Sequence, residues 1–174
     1  MKVLETQRLI VRRFSLEDAA FALELVNDSA WLQYIGDRKV RTLADARAYL
    51  RKGALDMYDR VGFGMFVVTL KSSGEPIGTC GLIKRDSLDD VDIGFAFLPG
   101  FRGQGFALES AAAVLDYGRR SLGLTRIVAI VSPANRRSIA ILEKIGLKYE
   151  RMMKLPGEDE EISLYGYETA DAGS

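Results

Sequence analysis

Phe95-Ala96-Phe97-Leu98-Pro99-Gly100-Phe101-Arg102-Gly103-Gln104-Gly105-Phe106-Ala107-Leu108-Glu109 is the stretch of sequence that decides the fold. Its first residues favour a strand that stops at Pro99-Gly100, and an apolar stripe at helical spacing starts at Ala107. A strand therefore passes through a glycine-rich turn directly into a helix. Successive backbone N–H groups at such a turn can converge on one point, and the positive end of the helix dipole adds to the attraction for an anion. The stretch thus predicts an anion-binding turn.

Phosphate is the anion that this turn fits best. Gly103 and Gly105 leave room for phosphate oxygens to approach the backbone, and Arg102 adds a charged donor. A simpler alternative is that Gly100 and Gly103 only turn the chain. The stretch contains neither the Gly-x-x-x-x-Gly-Lys-Ser/Thr pattern of a P-loop nor the Gly-x-Gly-x-x-Gly pattern of a dinucleotide-binding turn.

The rest of the chain reads as strands and helices around this turn. Before it, a capping box over residues 15–18 begins one helix, and the same signal over 42–45 begins a second helix that ends near Gly62. After it, the long helix reaches about Ser121, and a helix over 135–145 is closed by Gly146. The predicted strands cover residues 8–14, 63–70, 76–83, 91–98, 127–131, 147–155 and 161–168.

These elements predict a single domain over residues 1–170, with residues 171–174 as a flexible tail. A chain of 174 residues, of which 48% are hydrophobic, is long enough to bury one substantial core and short for two. The predicted class is α/β, in the α+β sense, with a mixed and mostly antiparallel central sheet and helices on both faces.

Composition excludes several classes of function. The 24 basic and 24 acidic residues cancel, so no general field attracts nucleic acid or a membrane surface. The chain has no histidine, which excludes the usual general base and every Ser-His or Cys-His pair. Cys80 is the only cysteine and can build neither an intrachain disulfide nor a Cys-based metal cluster, and we expect no metal. No run resembles a signal peptide or a membrane span, which predicts a soluble cytoplasmic protein.

The motifs together resemble those of the GNAT superfamily of acyl-CoA N-acyltransferases. Arg102-x-x-Gly105-x-Ala107 is similar to the superfamily's Arg/Gln-x-x-Gly-x-Gly/Ala pyrophosphate motif, and it follows a strand that carries Asp92-Ile93-Gly94-Phe95. The start Leu4-Glu5-Thr6-Gln7-Arg8-Leu9-Ile10-Val11-Arg12 resembles the branch that acetylates ribosomal-protein N-termini. Asn135-x-x-Ser138-Ile139 and the following Leu142-Glu143-Lys144-Ile145-Gly146-Leu147 support the same placement. The resemblance covers about residues 4–167.

This resemblance implies a site for acetyl-CoA beside the glycine turn. The pyrophosphate should be held by the backbone N–H groups of Gly103, Gln104, Gly105, Phe106 and Ala107. Phe97 and Leu98 should pair through their backbone with the pantetheine arm, in a V-shaped opening where their strand splays away from the strand over 127–131. Such a strand usually carries a bulge, which helps to expose backbone groups. The Phe97 N–H could then polarise the thioester carbonyl.

Transfer to an amine requires a neutral nucleophile, so some group must accept a proton. Asp92 is the first candidate, because it interrupts an apolar run at the place where relatives often carry a glutamate. Aspartate is one methylene shorter, which favours a bridging water over direct contact. The alternative is a solvated carboxylate at the strand start, beside Asp89 and Asp90.

Ser138 and Tyr149 are the candidates for donating a proton to the departing thiolate. Asn135 and Ser138 stand at a helix start, where Asn135 could be an N-cap that accepts from the Ser138 N–H. The resemblance instead implies that Asn135 touches the pantetheine or the substrate, and that the Ser138 hydroxyl protonates the departing thiolate. Tyr149 is the alternative acid, with ordinary strand packing as its competing explanation.

The acceptor side is less defined. Trp31, Tyr34, Met65 and Phe66 are the candidates for its pocket, because the early helices and the adjacent strand usually border it in this superfamily; each could instead be core. The acidic residues 158–161 could attract a cationic acceptor, although a solvated loop is the stronger interpretation.

The predicted activity is transfer of an acetyl group from acetyl-CoA to a primary amine, by direct attack on the thioester. The acceptor could be a protein N-terminus or a small molecule, including an antibiotic or a polyamine. A noncatalytic acyl-CoA-binding module is the alternative, since histidine is missing and the acid at position 92 is short. We expect no nucleic acid or membrane partner, and either a monomer or a homodimer.

Overall fold

A computed structural model describes residues 1–168 of the chain. The predicted tail over 171–174 lies outside these residues. Residues 1–168 contain eight strands and six α-helices. They are β1 (Lys2–Glu5), β2 (Leu9–Arg13), α1 (Ala19–Val26), α2 (Ser29–Tyr34), α3 (Leu43–Leu50), α4 (Asp56–Val61), β3 (Met65–Leu70), β4 (Pro76–Ile83), β5 (Val91–Phe97), α5 (Phe106–Arg120), β6 (Arg126–Val131), α6 (Arg136–Lys144), β7 (Lys148–Met153) and β8 (Ile162–Glu168).

The eight strands form one sheet in the order β1-β2-β3-β4-β5-β6-β8-β7. All neighbouring strands are antiparallel, apart from β5 and β6, which run parallel. Parallel neighbours need a crossover, and the long helix α5 supplies it. The mixed, mostly antiparallel sheet predicted from the sequence is confirmed.

Helices cover both faces of the sheet, as predicted. Successive residues of a strand point to opposite faces. On β4, Thr79 lines a cavity under helices α1 to α4, whereas the next residue, Cys80, bonds to Ser110 of α5. Phe66 of β3 lies on the α5 face as well, with its ring 6.2 Å from that of Tyr117. Buried residues from both faces belong to one continuous hydrophobic core, and a small second cluster forms around Leu88, Val128 and Leu164.

The helix boundaries follow the capping signals. Ser15 and Asp18 form the predicted capping box, which starts a single 3-10 turn before α1. Thr42 accepts from the Asp45 N–H at 3.0 Å and begins α3. A π-helical segment, Arg51–Leu55, joins α3 to α4, and Gly62 ends the whole run in the left-handed conformation at φ 84°. The second predicted helix is therefore present, with an extra residue per turn at its centre.

Two elements were not predicted from the sequence. Strand β1 pairs with β2 through a register shift between Lys2 and Leu4, and only one of its faces is half-buried. Helix α2 is six residues long, and its N-cap Asp28 accepts from the Ala30 N–H at 3.1 Å. Both are too short to show a hydrophobic period in the sequence.

Candidate functional site

The turn between β5 and α5 leaves its backbone N–H groups free. Gly103 and Gly105 both adopt positive φ, 75° and 83°, which glycine reaches without strain. Gly105 is the N-cap of α5, and among the described residues no side chain caps this helix. The first N–H groups of a helix have no partner within it. A 15-residue helix with such an N-terminus is able to bind an anion.

Arg8, on the chain leading into β2, holds this turn in place. Its Nε donates to Glu109 Oε1 at 2.7 Å and its Nη1 donates to the Gln104 carbonyl at 3.0 Å. The guanidinium also lies 4.3 Å from the centre of the Phe106 ring. A Cβ atom added at Gly105 would meet Arg8 Nη2 at 3.2 Å. The arginine therefore packs directly beneath the anion-binding turn and fixes its shape.

Glu109 completes this clamp from the first turn of α5. Its carboxylate accepts from the Thr6 hydroxyl at 2.5 Å, the Arg8 N–H at 3.0 Å and the Arg8 guanidinium. Burial pushes the pKa of Glu109 upward, but these hydrogen bonds outweigh it and lower the pKa below its ordinary 4.5. The carboxylate therefore stays charged and ties Thr6 and Arg8 to the helix. Sequence reasoning quoted Thr6 and Arg8 in a motif without giving them this role.

Arg102 does not face the anion, contrary to prediction. Its Nε donates to the Phe97 carbonyl at 3.0 Å, and its Nη2 donates to Asp28. The guanidinium is turned back because these two acceptors, one on β5 and one at the start of α2, lie inside the protein. Its role is to join the glycine turn to the helix that carries Trp31.

The strands β5 and β6 separate as they approach the glycine turn. Their ladder consists of the pairs Val91 with Ile127 and Asp92 with Val128, and the two strands part after that. The predicted splay is therefore present. The expected bulge is not seen on the β4 side, where β5 pairs in unbroken register from Asp92 to Phe97.

Alternation along β5 decides which backbone groups face the split. The Leu98 N–H donates to Ile77 at 3.0 Å, and the Leu98 carbonyl accepts from the Phe101 N–H at 3.0 Å. Leu98 therefore has no free backbone group for a pantetheine arm, contrary to prediction. The backbone groups of Phe97 and Phe95 point the other way; the Phe97 carbonyl is taken by Arg102 Nε, so the Phe97 N–H and the groups of Phe95 are the ones that face the split. Phe95 was missed because sequence alone does not give the pairing.

Asp92 lies at the closed end of the split. Its carboxylate is almost fully buried, at 1% exposure, and accepts from Arg85 Nε at 2.9 Å. Burial raises the pKa of Asp92, and the charge and hydrogen bond of Arg85 offset only part of that effect. The alternative of a solvated carboxylate is therefore wrong. Asp92 stands three residues before Phe95 and five before Phe97, or about 10 and 16 Å along the strand at roughly 3.3 Å per residue.

Asn135 and Ser138 lie at the open end of the split. Parallel strands place their carboxyl ends at the same edge, so the turn after β6 comes out beside the turn after β5. Asn135 is the N-cap of α6, and its Oδ1 accepts from the Ser138 N–H at 3.3 Å. This cap is the structural alternative considered for Asn135, and it leaves the amide nitrogen and the Ser138 hydroxyl outside the cap.

Tyr149 is placed differently. It lies on the edge strand β7, is 54% exposed, and β8 separates its strand from β6. Its ring makes an edge contact with Tyr165 at 5.8 Å between centroids. Two strand spacings amount to about 10 Å, so the backbone of Tyr149 lies about that far from β6.

A cavity of about 310 Å³ lies between helices α1 to α4 and the strands β3 and β4. Trp31 and Met65 line it, as predicted. Phe66 does not line it; its ring stacks on Tyr58 and makes an edge contact with Tyr117 in the core. Tyr34 is not among the residues that line it. The cavity also contains Arg38, Tyr49 and Arg85, which the sequence did not single out.

Family comparison fits this arrangement. The model of the acetyltransferase (GNAT) domain matches residues 8–148, which include the glycine turn, the split and the cavity. The chain belongs to the GNAT acetyltransferase family. An uncharacterized N-acetyltransferase of Bacillus subtilis, YnaD, is 32% identical over 166 residues, covering 94% of each chain. A second relative, the uncharacterized N-acetyltransferase p20 of Bacillus licheniformis, is 30% identical over 155 residues, with 88% of this chain and 86% of that one covered.

Solved structures show the same fold for this GNAT member. An acetyltransferase from Agrobacterium tumefaciens superposes with a TM-score of 0.83 at 25% identity, covering 97% of this chain and 95% of that one. RimL, a ribosomal L7/L12 alpha-N-protein acetyltransferase solved in complex with coenzyme A, superposes with a TM-score of 0.82. At 18% identity over 97% of this chain and 98% of that one, RimL shares the fold.

Within residues 1–168, no helix is long and apolar enough to cross a membrane. In the same part of the chain, no three His, Cys, Asp or Glu side chains come together as a candidate metal site.

Proposed function

We propose that the protein transfers an acetyl group from acetyl-CoA to a primary amine. The observation that carries this proposal is the combination of an uncapped helix N-terminus with an open split beside it. A diphosphate needs convergent N–H donors, and an extended amide-bearing arm needs unpaired backbone groups. In this chain the strand that borders the split, β5, leads through the glycine turn directly to the uncapped N-terminus of α5.

The residues present fit acetyl-CoA. The N–H groups of residues 103–107 would hold the pyrophosphate, and the glycines at 103 and 105 give it access. An arm that leaves this turn along β5 meets Phe97 first and Phe95 second. Phe97 is therefore placed to pair with the arm, while the Phe95 N–H is the donor closer to Asp92 and suits the thioester oxygen. Bound acetyl-CoA supplies the activated acyl group.

Asp92 is the proposed proton acceptor for the attacking amine. Its raised pKa brings the carboxylate nearer to the range in which a base works. About 10 Å of strand separates it from Phe95, so the proton must travel through water rather than by direct contact. The pair with Arg85 keeps the carboxylate fixed at the closed end of the split.

Ser138 is the proposed donor to the departing thiolate. The cap by Asn135 uses the Ser138 backbone N–H and leaves its hydroxyl for another partner. The start of α6 adjoins the open end of the split, whereas Tyr149 lies on the edge strand, with β8 between its strand and β6. A free thiol has a pKa of about 8.5, so its thiolate is a good leaving group and the help required is modest.

A noncatalytic acyl-CoA-binding module is the second candidate, and the buried ion pair of Asp92 with Arg85 favours it, because a carboxylate paired with a guanidinium is a weaker base. Release of free thiol from acetyl-CoA, followed with a panel of amines, separates the two. Turnover with at least one amine supports the enzyme. Acetyl-CoA binding without thiol release on any amine of the panel supports the module. Labelled acetyl-CoA in a lysate would identify the amine that is acetylated.

A further inference from the structure

Hydrogen-bond donors gather at one end of the cavity under helices α1 to α4. Arg38 comes from the segment between α2 and α3, Tyr49 from α3, and Arg85 from the chain after β4. All three residues line the same cavity, and the positive charges of Arg38 and Arg85 act on the Tyr49 hydroxyl. Burial raises the pKa of Tyr49, and its hydroxyl therefore remains a donor at neutral pH.

The charge of this donor cluster is only partly balanced. Arg85 uses its Nε on Asp92, which leaves its two terminal nitrogens for another acceptor. Arg38 makes no salt bridge within the part of the chain described, residues 1–168. Arg38 is exposed, whereas Arg85 is half-buried, and a half-buried guanidinium requires an anionic or strongly polar partner.

The mouth of the cavity is also positively charged. An outer depression shares Arg38, Tyr49 and Gly53 with the cavity and adds Lys39 and Lys52. Its one carboxylate, Asp45, already accepts from the Arg41 N–H at 3.0 Å. A cationic entrance raises the local concentration of anions and repels cations.

The remainder of the wall is apolar. Trp31 and Met65 lie beside leucine, valine and alanine side chains of α1, α3 and the π-helical segment. The Trp31 side chain is buried, at 9% exposure, and its Nε1 is a buried donor with no acceptor among the described residues. Such a donor calls for an explanation, and an acceptor oxygen supplied by a ligand is one.

We infer that the amine acceptor is a small molecule with an apolar body and a carboxylate, which the Arg38, Tyr49 and Arg85 cluster binds. The inference rests on the proposed function and names the class of its acceptor. Thr79 lines the cavity and pairs with Ala96, next to Phe97, whereas Ile83 at the Arg85 end is four residues away, about 13 Å along β4. The carboxylate and the amine of the acceptor are therefore separated by a chain of several carbons, and polyamines are excluded by charge.

Binding can be tested without catalysis, because Trp31 is the only tryptophan in the chain. Its fluorescence would be titrated with hexanoate, hexylammonium and hexanol, which share one apolar body. Hexanoate should give a saturable change at the lowest concentration. Arg38→Gln should weaken hexanoate about tenfold, the loss of one charge-assisted contact, and leave hexanol unchanged. Arg41→Gln is the matched control, since Arg41 pairs with Asp37 and does not line the cavity.

Turnover gives the second arm of the test. With acetyl-CoA, 6-aminohexanoate should have a higher kcat/KM than hexylamine, and 1,6-diaminohexane should have the lowest, with at least about tenfold between the extremes. Arg38→Glu should reverse this order. Thiol release with the diamine above that with the amino acid, or tighter binding of hexylammonium than of hexanoate, would overturn the inference and leave the acetyltransferase intact. Thiol release with none of them, together with tight hexanoate binding, would count against the proposed function alone.

Discussion

The glycine turn before α5 and the cavity under helices α1 to α4 are built in opposite ways. The turn is made of backbone from one continuous stretch, residues 103–107, and its chemistry lies in N–H groups that every residue has. The cavity is made of side chains from α1, α2, α3, α4, β3 and β4, which are brought together only by the fold. A backbone site tolerates changes of side chain but not of conformation, whereas a side-chain site is changed by a single substitution. On the proposed function, this difference would allow one cofactor site to be combined with many acceptor pockets.

Arg102 and Arg8 connect these regions to the rest of the molecule. Arg102 reaches from the glycine turn to Asp28 at the start of α2, and α2 places Trp31 in the cavity wall. Arg8 joins the turn to the N-terminal strand pair through Glu109. The turn is therefore rigid because distant residues hold it, even though its N–H groups are local.

The largest expected effect belongs to Asp92, which lies at the closed end of the split and pairs with Arg85 of the cavity. Asp92→Asn keeps the shape and removes the basicity, so kcat should fall by about 10²–10⁴-fold while acetyl-CoA affinity stays near wild type. Asp89→Asn, an exposed carboxylate three residues earlier, is the control and should be silent.

The pH profile gives an independent view of the same carboxylate. Because the pKa of Asp92 is raised above the ordinary 3.8, the wild-type acidic limb should lie above that value and should be missing in Asp92→Asn. A series of amines with different pKa values separates this limb from titration of the acceptor. Near-normal kcat with an unchanged profile in Asp92→Asn, once chemistry limits turnover, would show that the enzyme works by positioning neutral amine.

A smaller effect is expected at the open end of the split. Ser138→Ala should lower kcat by about tenfold to a hundredfold with little change in acetyl-CoA affinity, since a thiolate needs limited help to depart. Tyr149→Phe should be nearly silent, because Tyr149 is 54% exposed on the edge strand. Steady-state rates of the two variants decide between them, and the reverse pattern would move the role to Tyr149. Equal losses would require the double variant to apportion a shared network.

The clamp beneath the turn should have the smallest effect, on affinity rather than on rate. Glu109→Gln loosens Arg8 and Thr6 and should raise the Kd for acetyl-CoA by about tenfold or less, because the pair is partly exposed. The pKa of Glu109 is lowered in the folded state, so its stabilising effect is present above the ordinary 4.5 and is lost as the pH falls through the folded pKa. The difference in unfolding free energy between wild type and Glu109→Gln should therefore shrink on acidification. A constant difference from pH 7 to pH 3 would contradict the clamp.

The sequence predicts the first region well and the second poorly, for a physical reason. Glycines, caps and a strand-to-helix junction are local signals, so the turn, the Gly62 helix end and the Asn135 cap can be identified without a fold. The prediction that the Leu98 backbone pairs with the pantetheine arm was wrong, because the direction of the Leu98 N–H depends on its pairing with Ile77.

Side-chain direction is equally hidden in the sequence. Met65 and Phe66 are adjacent apolar residues of β3 that look alike, yet one lines the cavity and the other packs under α5. Arg38, Tyr49 and Arg85 are spread over 48 positions and carry no motif. Their grouping exists only after the helices pack on the sheet, so no reading of local pattern could have found it.

The most direct test of the central claim is thermal unfolding with and without acetyl-CoA, compared between Gly105→Glu and Gly123→Glu. Both glycines have positive φ, 83° and 70°, so both variants carry similar backbone strain. At position 105 the new carboxylate would lie in the turn and compete for Arg8, whereas at 123 it would face open space. Wild type and Gly123→Glu should gain stability as RT ln(1 + [L]/Kd), about 2.7 kcal/mol at a hundredfold excess over Kd, and folded Gly105→Glu should gain none. Equal stabilisation of both variants by acetyl-CoA would show that the cofactor does not bind at this turn.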